Sequence, residues 1–207
     1  IFTRFLALPP DQMKHIDDYL NRAGPVLGLR TSTHGFNYKN EKDPYYKYHF
    51  RYTGKDYQSG FGHQVLGQSW VGHYGRNHQQ STRIDIIPEK KKHPILRGVS
   101  KVHVQAGGYN AEAQKDWDIL TMAQPLMTMK PDGAADKTKP PMASEWTRYY
   151  NGKNGKKGRV FTSLYGASED ILNPGYRRMI INGVYWTLSL ENQIKPDSKI
   201  DFAGAYK

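Results

Sequence analysis

The sequence predicts an α/β fold, a mainly parallel sheet flanked by helices, in a single domain over residues 1–207. Three observations predict it. Apolar positions at helical spacing after Pro9-Pro10-Asp11 lead through a short turn into the apolar stretch Pro25 to Leu29. Towards the other end, the apolar run Arg159 to Leu164 is followed by a second helix that opens at Pro174. The stretch from Pro25 also stops abruptly in Arg30-Thr31-Ser32-Thr33-His34-Gly35, a polar cluster just past a buried strand. In open α/β sheets that carboxyl edge is where ligands bind.

Each element follows from local pattern. Ile1 to Phe5 reads as a strand end, and Met13, Ile16, Tyr19, Leu20 and Ala23 share one helical face. Asp11 suits the first turn, and Gly24 supplies the stop. Short connections around this helix predict parallel pairing of the flanking strands with a right-handed crossover. Asn37 to Ser59, rich in Tyr, Lys, Asp and Gly without a period, reads as a long ordered loop whose aromatics pack over the site. A helical turn or two follows over Gly60 to Leu66. Ser81 to Ile87 alternates as a strand that Pro88 ends, and Lys101 to Gln105 and Trp117 to Ala123 are further strands. Lys130 to Pro141 is a loop, and Glu145 to Tyr150 is a short strand entering the turn Asn151 to Gly155. In the last helix Tyr176, Met179, Ile180, Gly183, Val184 and Leu188 keep helical spacing, with Pro174 suited to its first position. Gly183 there predicts close packing against the sheet.

Composition excludes several classes. With no cysteine, disulfides, thiolate metal sites and a cysteine nucleophile are out. A cysteine-free chain leans towards an extracytoplasmic, oxidising compartment without fixing one. No run approaches the roughly 18 apolar residues of a membrane span, and Ile1-Phe2-Thr3-Arg4-Phe5 lacks the plan of a secretory signal. The chain does not begin with Met, as a processed or truncated product would not. The net charge of +11 raises an anionic-polymer partner. Its lysines, however, fall in loop stretches (Lys90 to Lys92, Lys137 to Lys139, Lys153 to Lys157) without a helical stripe or a nucleic-acid-binding signature, which argues against nucleic acid.

Three segments in order carry a resemblance. They are Gly28-Leu29-Arg30-Thr31-Ser32-Thr33-His34; Val65 to His73, followed by a strand and then His93-Pro94-Ile95-Leu96-Arg97-Gly98-Val99; and Gly158 to Gly166, continuing through Asn173-Pro174-Gly175-Tyr176-Arg177-Arg178 to Trp186. Together they resemble the trehalose-utilisation (ThuA-like) family, which has a flavodoxin-like, class I glutamine amidotransferase-like fold. The resemblance implies carbohydrate metabolism. It also implies that the chain lacks the first β-α units, because members carry further units ahead of the segment matching Ile1. Where the family often has acids before a mid-domain tyrosine, this chain has Gln105-Ala106-Gly107-Gly108-Tyr109.

In amidotransferase-like folds a sharp strand-to-helix turn presents a nucleophile, and without cysteine, glutamine hydrolysis by a thiolate is excluded. Ser32 could stand in with His34 as its base, although turn hydroxyls more often satisfy backbone amides. Arg30, at the end of a buried strand, must be paired or face a polar cavity; it could clamp a carboxylate, phosphate or sugar hydroxyls, or tie two loops in an ion pair. His73, Asn77 and His78 share a Gly/His-rich loop. His34, His73 and His78 could form a three-imidazole zinc site, but the spacing matches no metal motif, so no metal and no cofactor is expected. Two histidines acting as acid and base fit better. His93, before Pro94, reads as structural. Glu169 could be a general base, the alternative being helix-entry capping or a salt bridge. Tyr38, Tyr45, Tyr46, Tyr48, Tyr109 and Trp70 could stack on sugar rings.

The expected site is therefore catalytic His34, His73 and Glu169, with Arg30, Thr31, Ser32, Thr33, Asn77, His78, Tyr109 and Tyr165 binding substrate. The expected partner is a small carbohydrate or keto-sugar derivative, bound or converted by acid–base chemistry rather than nucleophilic hydrolysis. The alternatives are a non-catalytic carbohydrate-binding or interaction module, and anionic-polymer binding through the basic loops. A homo-oligomer stays open.

Overall fold

The computed structural model describes residues 3–206. Helix α1 (Pro10–Asn21) precedes strand β1 (Val26–Leu29), and a two-residue strand β2 (His73–Tyr74) follows a long irregular stretch. Then come β3 (Thr82–Ile86), β4 (Val102–Val104), a second two-residue strand β5 (Gly108–Tyr109), β6 (Asp118–Pro125), β7 (Met142–Asn151), β8 (Lys157–Ser163) and helix α2 (Pro174–Thr187). Six strands form one sheet in the order β1-β8-β7-β6-β3-β4, and β2 pairs with β5 beside it.

The sheet corrects the expectation of parallel strands. Only β1 with β8 runs parallel; β8–β7, β7–β6, β6–β3 and β3–β4 are all antiparallel. The cause is connectivity. A parallel neighbour needs a crossover, usually a helix, whereas antiparallel neighbours need none. Residues 126–141 join β6 to β7 and residues 152–156 join β7 to β8, and neither segment contains an α-helix. The predicted pairing of the N-terminal strand end with β1 is also absent. Leu6 instead bridges Phe36 in parallel, and Ile1 and Phe2 lie outside the described residues.

Helices do flank the sheet, and side chains alternate across it. In β8, Val160 joins a core with Met13, Leu20, Phe36 and Leu66 on the α1 side, while Phe161 joins Leu164, Met179 and Ile180 on the α2 side. In α2, Pro174 occupies the first turn, and the Asn173 side chain accepts from the Tyr176 N–H at 2.9 Å. Gly183 packs flat on Phe161, where a methyl group would overlap the ring, as its position predicted. Val184 and Leu188, read as part of the packed face, are exposed. The first helix ends one residue earlier than the glycine suggested: Ala23 takes φ 62°, and the Gly24 N–H closes on the Tyr19 carbonyl at 3.0 Å.

The segment 37–59 is ordered, but most of its aromatics pack elsewhere than predicted. Tyr38 and Tyr48 are buried with Phe36 and Phe61 on the α1 side, and the Tyr48 hydroxyl donates to Asp17 of α1 at 2.6 Å. Apolar rings with polar edges suit this junction of helix and loop. Phe50 is the loop residue whose ring reaches His34, at 6.3 Å.

Candidate functional site at the carboxyl edge of β1

Strand β1 ends at Leu29, in register with Ser163 of β8, and the chain then turns sharply. Arg30 adopts φ 40°, a left-handed conformation that costs a non-glycine residue about 1–3 kcal/mol. Residues Arg30–His34 form a 3-10 turn rather than the start of an α-helix. The guanidinium is buried. Its Nη1 donates to the Gly107 carbonyl, Nη2 donates to Asn77 Oδ1 at 3.4 Å, and the group lies 4.7 Å from the centre of the Tyr109 ring. Asn77 Oδ1 also accepts from the Gly107 N–H at 3.0 Å, which closes the arrangement. Arg30 thus ties loops together, although it makes no ion pair among the described residues.

His34 is also buried, within a cage of rings: Phe5 at 4.8 Å, Trp70 at 5.2 Å and Tyr109 at 5.6 Å between centroids. Burial, reinforced by the positive charge of Arg4, Arg30 and His73, pushes its imidazole down to about 4. It is neutral at pH 7. The hydroxyl beside it belongs to Thr33, which lies 3.4 Å from Nδ1 and donates to the Arg30 carbonyl at 3.0 Å. That hydroxyl satisfies a backbone carbonyl of the turn. Ser32 is fully buried and Thr31 half-buried.

His73 pairs with Tyr109 across β2 and β5, their ring centroids 5.3 Å apart, and it is exposed. Burial of its ring and then the charge of Arg30 lower its pKa. Glu169 is exposed and its carboxyl is held below the ordinary value. Its own backbone N–H and the Ser168 hydroxyl dominate, with smaller contributions from His78 and Arg30. Arg30, His34 and His73 therefore surround Tyr109, and Glu169 lies within electrostatic reach of Arg30 and of His78. No group of three His, Asp or Glu able to hold a metal occurs among the described residues. Tyr165 lies beneath this surface, its hydroxyl against Gly108 and within electrostatic reach of Arg30. It is fully buried in the α2-side core, and its hydroxyl, near Thr82, forms no hydrogen bond of proper geometry.

Two buried acids escaped the sequence reading. Asp170, next to the exposed Glu169, takes the capping role: Oδ2 accepts from the N–H groups of Gly166 and Ala167 at 3.0 and 2.9 Å. Its Oδ1 accepts from Gln105 and Ala106 at 2.8 and 3.0 Å. Glu145 is wholly buried in β7, and accepts from the hydroxyls of Thr121, Ser144 and Ser163 at 2.5, 2.6 and 2.7 Å. Burial pushes its carboxyl up while the three hydroxyls oppose the shift. Leu29, Ser163, Glu145 and Thr121 lie in one cross-strand row, so this network sits one residue below Arg30. The signal was faint: a lone glutamate inside a predicted strand, between Ser144 and Trp146. His93 does open a turn, its Nδ1 accepting from the Ile95 N–H at 3.3 Å. A cavity of about 540 Å³ lies along β3 and β4 between Arg83 and His103, and none of the expected site residues lines it.

No family model matches the sequence, and no curated protein matches it. Solved structures do. One, of a protein described as ThuA-like from Bacteroides uniformis, superposes with a TM-score of 0.53 at 14% identity, over 93% of this chain and 70% of that one. The fold is ThuA-like. A second protein so described, from Parabacteroides merdae, matches with a TM-score of 0.48 at 14% identity, over 95% of this chain and 70% of that one. At this identity the likeness concerns fold, and function must come from the site.

The electrostatics of this site predict how stability depends on pH. A histidine whose folded pKa lies below its unfolded value of 6.5 resists a proton that the unfolded chain accepts. Stability is therefore complete above that value and falls as pH drops from 6.5 towards about 4. His49, His63, His73, His93 and His103 shift in the same direction. Urea midpoints between pH 7 and pH 4 should fall, and His34→Phe should flatten that decline. An equal decline in the variant would contradict this assignment.

Proposed function

We propose that this chain binds, and through its exposed residues can convert, a carbohydrate or keto-sugar derivative at the carboxyl edge of β1. The observation that carries the reading is the gathering of Arg30, His34 and His73 around Tyr109, with Glu169 within electrostatic reach of Arg30 and His78. Aromatic faces beside imidazole and guanidinium groups suit a ring that is apolar on its faces and polar at its edges.

The roles divide by exposure. Arg30 and His34 are buried and committed to neighbours, so they shape and rigidify the floor. His73 and Glu169 are exposed, and proton transfer at a sugar carbon or carbonyl falls to them, with His73 lowered towards a neutral base. The commitment of Arg30 to Gly107 and Asn77 also favours a second reading, a non-catalytic carbohydrate-binding module. A screen of mono- and disaccharides and their keto derivatives, read by calorimetry and by product analysis, tests both. Saturable binding weakened about tenfold by His73→Ala is the expected result, that being the scale of one lost hydrogen bond. Product formation abolished by the same change selects the enzyme, and binding without turnover selects the module. Failure of every sugar to bind contradicts both.

A further inference from the structure

Outside the His34 cage lies a cavity of about 360 Å³, walled by Phe5, Phe50 and Trp70 and bordered by Lys39, His49 and Arg51. The three aromatic walls are also rings that neighbour His34, so the cavity adjoins the candidate site. Its volume falls in the range of small-ligand pockets. We propose that this cavity is a subsite for an anionic group, a carboxylate or a phosphate, carried on a sugar ring, an inference that rests on the carbohydrate reading above.

Charge is the first argument. No acidic side chain lines the cavity, and Lys39 and Arg51 make no ion pair among the described residues. Arg51 lies over the Phe50 ring at 5.0 Å, and Arg4 over Phe5 at 5.4 Å, so these cations are held by ring faces rather than by carboxylates. Acids of the surrounding loop are engaged locally: Glu41 accepts from the Tyr46 hydroxyl, Asp43 from the Tyr45 N–H and Asp56 from the Tyr52 hydroxyl. Burial, then Lys39 and Arg51, hold the His49 imidazole below its usual range, in keeping with a positive local potential.

Unsatisfied polar atoms are the second argument. Trp70 Nε1 and His49 Nδ1 are buried without a hydrogen-bond partner. Buried donors are almost always paired, and the indole nitrogen can only donate. A small turn of the ring that uncovers Nε1 to the cavity would let an oxygen-rich ligand supply what it lacks. The third argument is the adjoining cavity of about 440 Å³, which shares Phe50, Arg51 and Trp70 and is bordered by the hydroxyl and amide groups of Thr53, Gln58, Ser59 and Ser69. Neutral donors and acceptors on one side and cations on the other match a sugar ring bearing one anionic substituent.

Calorimetry on the full chain separates the possibilities. The probes are a set of neutral hexoses, the matching uronic acids, the matching 6-phosphates, and inorganic phosphate alone. The expected result is that an acidic sugar binds at least about tenfold more tightly than its neutral parent, the scale of one charge-assisted contact. That preference should disappear in the double variant Lys39→Ala, Arg51→Ala, both surface positions whose folding is checked by circular dichroism. Trp70→Phe, which keeps the ring wall and removes the indole donor, should also weaken the acidic sugar selectively. The uronic acid and phosphate arms identify which anion is bound. If neutral sugars bind as tightly as acidic ones, or if the double variant retains the preference, the subsite is overturned while the carbohydrate reading stands. If inorganic phosphate binds as tightly as the sugar phosphate and neutral sugars do not bind, the anion subsite stands and the carbohydrate reading fails. Binding by none of the probes overturns the subsite.

Discussion

Asp170→Ala is expected to lower the stability of this chain by on the order of 4 kcal/mol, because four N–H groups, those of Ala106 and Gly166 buried and those of Gln105 and Ala167 part-buried, lose their shared acceptor at about 1 kcal/mol each. The carboxylate is 1% exposed, and each of its oxygens receives two backbone donors, one pair from residues 105 and 106 and one from residues 166 and 167. A methyl group offers none of the four an acceptor, and the buried N–H groups of Ala106 and Gly166 lie away from water. Asp170→Asn keeps the shape but turns a donor towards two of those N–H groups, so it should recover little. The effect reaches the site as well. Asp170 anchors the segment leading to Gly107, whose carbonyl receives Arg30. A variant that still folds should therefore bind ligand poorly. Urea denaturation measures the loss, and an unchanged midpoint would refute the anchoring role. The segment Gln105 to Tyr109, which carries no acid of its own, is thus held by an acid from elsewhere in the chain.

Trp146→Ala is expected to cost about 3–5 kcal/mol, the usual range for removing a large buried aromatic. Trp146 is fully buried and stacks on Trp117 at 3.8 Å with their planes 2° apart. Its indole donates to the Leu66 carbonyl at 2.9 Å, the same oxygen that receives the Thr162 hydroxyl. Leu66 closes the π-helical turn Gly62–Leu66, which ends at Gly67 with φ 96°. Arg148 donates to the His63, Gln64 and Val65 carbonyls of that turn, so β7 holds it at several points. Trp146→Phe should cost less, since most of the packing stays while the hydrogen bond is lost. Equal losses in the two variants would show that packing contributes little at this position.

The local elements were legible because periodicity reports burial. Helix α2, strand β8 and the break at Arg30 all follow from which residues face the core. Strand direction was not legible in that way. The direction depends on what connects the strands, and the helix-free segment Lys130 to Pro141 was the sign that β6 and β7 run antiparallel. The tyrosine-rich loop had no period to say which face it covers, and the bond from Tyr48 to Asp17 settles it on the α1 side. Of the adjacent acids Glu169 and Asp170, sequence favoured the one that proves exposed. Glu145 resembled a solvent-facing strand residue until its register with Ser163 and Thr121 placed three hydroxyls on it.

The most direct test of the account is histidine side-chain NMR on the full chain during titration with the best-binding sugar from the screen. A ligand seated at the carboxyl edge of β1 should shift the His34 and His73 resonances together and saturably, while His15 on α1 and His93 stay fixed. Shifts confined to His15 or His93, or saturable binding that leaves His34 and His73 unmoved, would contradict a site at the carboxyl edge of β1.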